Sequence, residues 1–236
     1  MLKFLLLTLL TASCAYAYAY ADETAIRDRL QKNYPQLGEI NQVNKTPLPG
    51  LYEVVTPDHL FYTDEQTQYL IDGSLYDLRT MRNITDERAR KIFAVDFKSL
   101  PFDLAMKKVK GNGKRQMLVF TDPNCGFCKK LEAELQQVNN VTIYRVLYPI
   151  FPGSEEKARN VWCSKDKNKA WEDLMLRGVI PASANCNAPL AKTLEWGKRL
   201  KVNGTPTIIF ADGTLAPGYL PAAELEKALD GASAAK

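Results

Sequence analysis

The sequence predicts an α/β protein in two unequal parts: a compact α/β sandwich over residues 101–236, preceded by a small α+β unit over 22–83, with a helical linker over 84–100 between them. Three observations predict it. From Lys107 onward, short apolar runs alternate with helical periodicity and end in a hairpin and a helix. Residues 22–83 carry brief β-rich runs divided by turn residues. Residues 84–100 are densely charged, with a narrow apolar face.

Composition bounds these readings. A chain of 236 residues with 46% apolar and 25% charged residues can bury a core, which excludes disordered, collagenous and coiled-coil proteins. The net charge of +4 comes without a dense Lys/Arg run, so nothing supports a nucleic acid partner. Five Cys stand against a single His, His59, which reads as an ordinary strand residue. A His-based metal site or a Cys–His dyad is hard to build from one imidazole. The cysteines therefore call for thiol chemistry, disulfides or a thiolate-rich metal site.

At the N-terminus, Lys3 precedes an apolar stretch centred on Leu5 to Leu10, too short to span a bilayer as a mature helix. Ala19-Tyr20-Ala21 follows the small-x-small cleavage pattern. Residues 1–21 read as a secretory signal peptide, with cleavage after Ala21 and export of the mature chain. The alternative is a lipoprotein acylated at Cys14, although Thr11-Ala12-Ser13 lacks the usual aliphatic residue. Cleavage leaves Cys125, Cys128, Cys163 and Cys186, an even number as expected for disulfides in an exported protein.

In residues 22–83, Ala25 to Tyr34 predict a short helix through Ile26, Leu30 and Tyr34. After the Pro47/Pro49/Gly50 break, strands are predicted at Leu51–Val55, His59–Tyr62, Tyr69–Ile71 and Leu75–Leu78, with a turn at Asp72-Gly73. A unit of about 60 residues buries too little surface to be stable alone, so pairing with a second copy is expected. Ile84 to Leu100 predict a helix with Ile92 and Val95 on its apolar face, ended by Pro101. Beyond it, strands are expected at Met117–Phe120, Val141–Leu147 and Thr207–Phe210. Helices are expected at Cys125–Val138, Lys157–Met175 and from Glu224 to Leu229, with a hairpin turn at Asp212-Gly213.

The chemistry centres on Cys125-Gly126-Phe127-Cys128, a CxxC that follows a strand and opens a helix. Unpaired N–H groups and the dipole at a helix start favour negative charge, so a Cys125 thiolate is stabilised there. Cys128, one turn later, is placed to attack a mixed disulfide formed at Cys125. Cys125 is thus the expected nucleophile and Cys128 the resolving thiol. A zinc site would need all four mature cysteines and lacks a second CxxC, and a structural CxxC disulfide would constrain little chain. No metal and no cofactor are expected. Gly204-Thr205-Pro206-Thr207 adds a second signal, because an X-Pro bond before a strand about 80 residues after a CxxC reads as cis Pro206. Such a turn would face the Thr205 backbone toward the Cys pair and offer it to an extended substrate. A trans proline starting a strand is the plainer alternative.

The run Thr121-Asp122-Pro123-Asn124-Cys125-Gly126-Phe127-Cys128-Lys129-Lys130-Leu131, together with Gly204-Thr205-Pro206, resembles a thioredoxin fold. Trp162 to Ala170, Asp212 to Tyr219 and Tyr62 to Leu78 extend the likeness across the mature chain to the periplasmic disulfide isomerases of the DsbC/DsbG family. That resemblance implies a thioredoxin-like catalytic domain with a helical insertion and an N-terminal dimerisation domain. It further implies a homodimer acting on misfolded disulfide-containing exported proteins, with a membrane thiol carrier of the DsbD type as reductant. It also implies a Cys163–Cys186 disulfide, which would close a loop of about two dozen residues and contribute about 3 kcal/mol.

Two departures stand out. Thioredoxin carries a buried acid where this chain has Val119, and Phe127 stands where the family usually has Tyr. The resemblance leaves open a reductase of the DsbG type, a dimeric holdase chaperone and a monomeric thiol oxidase.

Overall fold

The structure is a computed structural model that describes residues 22–234, so the expected leader and Cys14 lie outside the described residues. The chain divides into two units, one up to Thr85 and one from Asp86.

In the first unit, Asp22 caps helix α1 (Glu23–Asn33), which buries Ile26 and Leu30. A four-stranded antiparallel sheet follows in sequence order: β1 (Gln42–Lys45), β2 (Leu51–Val55), β3 (Leu60–Asp64) and β4 (Leu70–Ile71). Ile26 and Leu30 pack with Ile40, Val43, Tyr52, Val54 and Phe61 to form its core. A small ribbon of β5 (Tyr76–Asp77) and β6 (Arg82–Asn83) completes the unit. The polar run Gln-Val-Asn-Lys of β1 gives no strand signal; it pairs because β2 offers its edge in register, Val43 opposite Val54.

Helix α2 (Ile84–Ile92) is shorter than the seventeen-residue connector expected from the charge pattern. The chain then makes a 3-10 turn at Phe97–Ser99. Phe97 and Leu100 enter the core of the second unit, and the Val95 N–H bonds the Gly213 carbonyl at 3.0 Å. A Cβ on Gly213 would lie 2.0 Å from the Val95 carbonyl oxygen, so this contact requires glycine.

The second unit holds β7 (Met106–Lys110), β8 (Arg115–Thr121), α3 (Gly126–Leu135) and β9 (Val141–Leu147), then α4 (Ser154–Cys163), α5 (Lys167–Arg177) and α6 (Leu190–Arg199), and last β10 (Thr207–Phe210), β11 (Leu215–Pro217) and α7 (Ala222–Ala234). Its sheet runs β11-β10-β8-β9-β7, with only β8 and β9 parallel and α3 crossing between them. Strand alternation sorts the core onto two faces. Met117, Val119, Ile143 and Ile208 pack with Leu131 and Leu135 of α3 and Leu225 and Leu229 of α7. Leu118, Phe120, Val146 and Ile209 pack on the other face with Trp196 of α6.

Three features differ from expectation. The single helix over Lys157–Met175 is two helices, because Asp166 accepts a bond from the Lys169 N–H at 2.9 Å and caps a new start at Lys167. Helix α6 has no counterpart among the expected elements; it buries Leu190, Thr193, Trp196 and Gly197. A Cβ at Gly197 would lie 2.3 Å from the Tyr148 ring. β7 is a lysine-rich edge strand, a composition that protects an open edge and hides the strand.

One charged pair is buried in this unit. Arg145 of β9 donates through Nε and Nη2 to the two carboxylate oxygens of Glu132 on α3, at 2.6 and 2.9 Å. Removing one partner would strand the other charge out of water. Glu132→Ala is therefore expected to cost about 3–5 kcal/mol in urea denaturation, and the apolar pair Glu132→Leu with Arg145→Met to recover most of that loss.

Candidate functional site

The site sits where β8 ends and α3 begins. Cys125 is the N-cap of α3, and its sulfur accepts from the Cys128 N–H at 3.1 Å. A side-chain acceptor at this position satisfies one of the unpaired donors of the first turn. The same arrangement holds a negative sulfur where backbone N–H groups point. The Cys125 thiol donates to the Thr205 carbonyl at 3.2 Å, joining segments 80 residues apart. The Thr205-Pro206 peptide bond is cis. Thr207 then pairs with Phe120 and Pro217, which fixes this turn to the sheet.

The two thiols are free and buried in one cluster. Cys128 is 1% exposed and packs in the cluster that includes Trp171, Leu174 and Met175. Burial, then the bond with Cys125, pushes its thiol up to about 12, against the Thr121 hydroxyl, the Asp122 backbone and the Thr205 hydroxyl. Cys125 is also largely covered, at 3% exposed, a smaller contrast with Cys128 than the motif alone predicts. Gly126 carries no side chain toward the site, and a Cβ there would meet open space. Phe127 is 58% exposed and lies 5.2 Å from the Lys130 ammonium.

Asp122 is the residue that sequence reasoning missed, although it stands within the quoted motif. It is fully buried. One carboxylate oxygen accepts from the Asn124 N–H at 2.7 Å and the Ser154 hydroxyl at 2.5 Å. The other accepts from the N–H groups of Ile150 and Phe151, at 2.7 and 3.1 Å. Its own carbonyl accepts the Cys125 N–H at 3.2 Å. Four donors converge on one acceptor-only group, and they tie the turn before Cys125 to the loop before α4. The only local signal is an Asp followed by Pro, a turn former.

Cys163 and Cys186 are joined by a disulfide, Cα to Cα 5.7 Å, away from the reactive pair in the chain. Bonded to each other, they are not thiolate ligands for a metal shared with Cys125 and Cys128. His59 lies outside the site, its Nε2 3.2 Å from an Asp72 carboxylate oxygen.

Comparison with known proteins assigns the family. Residues 102–233 match the thioredoxin-like domain, and residues 17–86 match the disulfide bond isomerase protein N-terminal domain. The chain is 44% identical over 206 residues to the probable thiol:disulfide interchange protein DsbC of Bordetella pertussis, across 87% of this chain and 73% of that protein. It belongs to the DsbC family. It is 32% identical over 236 residues to the thiol:disulfide interchange protein DsbC of Escherichia coli, across 96% of this chain and 94% of that one. A crystal structure of a disulfide interchange protein from Neisseria gonorrhoeae shares 39% identity and superposes with a TM-score of 0.55, over 57% of this chain and 99% of that one. The fold class expected from the sequence, a thioredoxin-like unit behind a small α+β unit, is the one observed. The chemistry of the family is thiol–disulfide exchange.

Different thiol environments predict different reactivity. With folded, reduced protein at any pH below about 9, iodoacetamide is expected to leave Cys128 unmodified, and denaturant to expose it. Mass spectrometry of digested peptides reads the outcome. The raised Cys128 value also gives a stability term present below the ordinary thiol range and lost as pH rises from there through about 12.

Proposed function

We propose that this protein is a periplasmic disulfide isomerase that rearranges non-native disulfides in exported proteins, with Cys125 as nucleophile and Cys128 as resolving thiol. The observation that carries the reading is the unequal pair: a Cys125 sulfur held at a helix start, and a Cys128 thiol pushed up to about 12. The Cys125 thiolate attacks one sulfur of a wrong disulfide. A mixed disulfide forms, and the second substrate sulfur leaves as a thiolate. That thiolate attacks another cystine of the same chain, and the exchange eventually returns Cys125 as a thiolate with no net electron transfer.

Escape occurs when Cys128 loses its proton and attacks the Cys125 sulfur, releasing a reduced substrate and leaving a Cys125–Cys128 disulfide. A protonated, buried Cys128 attacks slowly, which lengthens the life of the mixed disulfide and favours rearrangement over reduction. Each escape consumes two electrons. A membrane thiol carrier of the DsbD type is the proposed source, and the leader over residues 1–21 the proposed route to the periplasm. Gly126 and Phe127 shape the exposed side of the motif, and the Thr205-Pro206 backbone pairs with the extended substrate once the Cys125 thiol has given up its bond to Thr205.

In the first unit, Tyr69, Leu70 and Ile71 are exposed at or beside the edge strand β4. Large apolar side chains on an open edge support pairing with a second copy, hence a homodimer. The apolar surface of such a dimer would hold unfolded chains and supply chaperone activity without the cysteines.

The Cys125→Ser variant tests the reading. Reactivation of scrambled ribonuclease is expected to fall to background, while aggregation suppression persists and the variant sediments at twice the chain mass. Full reactivation by this variant would refute the mechanism.

A further inference from the structure

Ile150 and Phe151 are 41% and 44% exposed, in the loop between β9 and α4. Their side chains face water, yet their backbone N–H groups are held by the buried carboxylate of Asp122 at 2.7 and 3.1 Å. A loop free to relax would turn such side chains inward. This one would have to give up two charge-assisted bonds to do so. The loop is also stitched to the residue before the nucleophile. Asn124 donates through Nδ2 to the Pro152 carbonyl at 2.8 Å, and the Lys157 ammonium donates to Asn124 Oδ1 at 2.7 Å. Two exposed apolar side chains therefore stand on a loop bonded to the residues just before Cys125.

We infer that Ile150 and Phe151 form a specificity ledge for an apolar side chain flanking the attacked cystine, and that Asp122 is the positioning residue that holds it. The inference rests on the reading of Cys125 as nucleophile. Its occupant is a segment of unfolded polypeptide lying extended over Cys125. Side chains of an extended strand alternate, so a residue two positions from the substrate cysteine shares the face of its sulfur and reaches beyond it. Misfolded chains expose apolar residues beside their cysteines, whereas folded proteins bury most of them. The ledge thus turns preference for an apolar neighbour into preference for wrong disulfides over native ones. Phe127, exposed within the motif itself, adds apolar surface to the same site.

Asp122→Asn is not a conservative change here. Both carboxylate oxygens receive two donors each, so either orientation of the amide points its NH2 at a backbone N–H. The ledge would lose its anchor although its own side chains remain.

The test uses the full-length reduced protein and two peptides, each joined to glutathione by a disulfide. One peptide carries Leu two positions before and two positions after its Cys, the other Ser at both places. Reaction transfers two electrons from Cys125/Cys128, releasing peptide thiol and glutathione and leaving the protein disulfide. In single turnover, the parent is expected to react with the Leu peptide about tenfold faster by second-order rate constant, mainly through tighter binding. In Ile150→Ser/Phe151→Ser that ratio is expected to fall to within about twofold of one, through loss of the Leu-peptide rate. Asp122→Asn is expected to lower the ratio likewise, and to add nothing to the ratio when combined with the ledge variant, as coupled residues do.

A parent ratio near one, or a ratio that survives in the ledge variant, would overturn the inference. So would an equal fall for both peptides, the mark of a merely structural role. A parent inert toward both peptides would overturn the nucleophile reading and the ledge with it.

Discussion

The sulfur of Cys125 lies between two backbone groups, the Cys128 N–H at 3.1 Å and the Thr205 carbonyl at 3.2 Å. Much of the second unit serves this arrangement. Strand β8 delivers the chain to the start of α3, and the packing of Leu131 and Leu135 on the sheet fixes the helix axis. Strand β10, paired with β8, brings Thr205 to the sulfur from 80 residues away. Asp122 holds the intervening turn from below. A helix start supplies donors only if the turn before it has one conformation, so the reactivity of one thiol depends on a non-local scaffold.

The same scaffold separates the two thiols. Both sulfurs belong to the buried cluster with α4 and α5, and Cys125 in addition caps the helix start. The helical insertion thus acts on the chemistry by burying the second sulfur. Its first helix, α4, is tied to the loop after α5 by the Cys163–Cys186 disulfide and by the bond from the Ala184 N–H to Asn160 Oδ1 at 3.1 Å. Thioredoxin's buried acid has no counterpart at Val119. The buried carboxylates of this region are Asp122 and Glu132, and Arg145, which takes up both oxygens of Glu132, lies beside Val119 in the sheet register.

Local chemistry made the place of the Cys125/Cys128 pair readable from the sequence. A CxxC between a strand and a helix puts its first Cys at the helix start, and Pro206 before a β-run marks the opposing turn. The Val141–Leu147 strand is rich in β-branched and aromatic residues, and its bounds were legible to the residue. What stayed hidden depends on distant partners. Asp122 reads as a turn residue until Ile150, Phe151 and Ser154 are brought beside it. Glu132 reads as a surface helix residue until Arg145 crosses the sheet to meet it. Helix α6 places Thr193 and Gly197 on its buried side for reasons that only neighbours show: Thr193 donates to the Leu147 carbonyl, and Gly197 makes room for Tyr148. The break between α4 and α5 was masked by an apolar period that runs through it, while the Asp166 cap decides the outcome.

Rearrangement of disulfides needs the Cys125/Cys128 pair kept as thiols, whereas net oxidation needs it kept as a disulfide. The direct measurement is the redox state of this pair in the exporting cell, by rapid acid quenching and alkylation with a mass-shifting reagent. An isomerase predicts that most of the protein carries two labelled thiols at Cys125 and Cys128, with the Cys163–Cys186 disulfide intact. A pair found mostly as the Cys125–Cys128 disulfide would contradict it and identify a thiol oxidase.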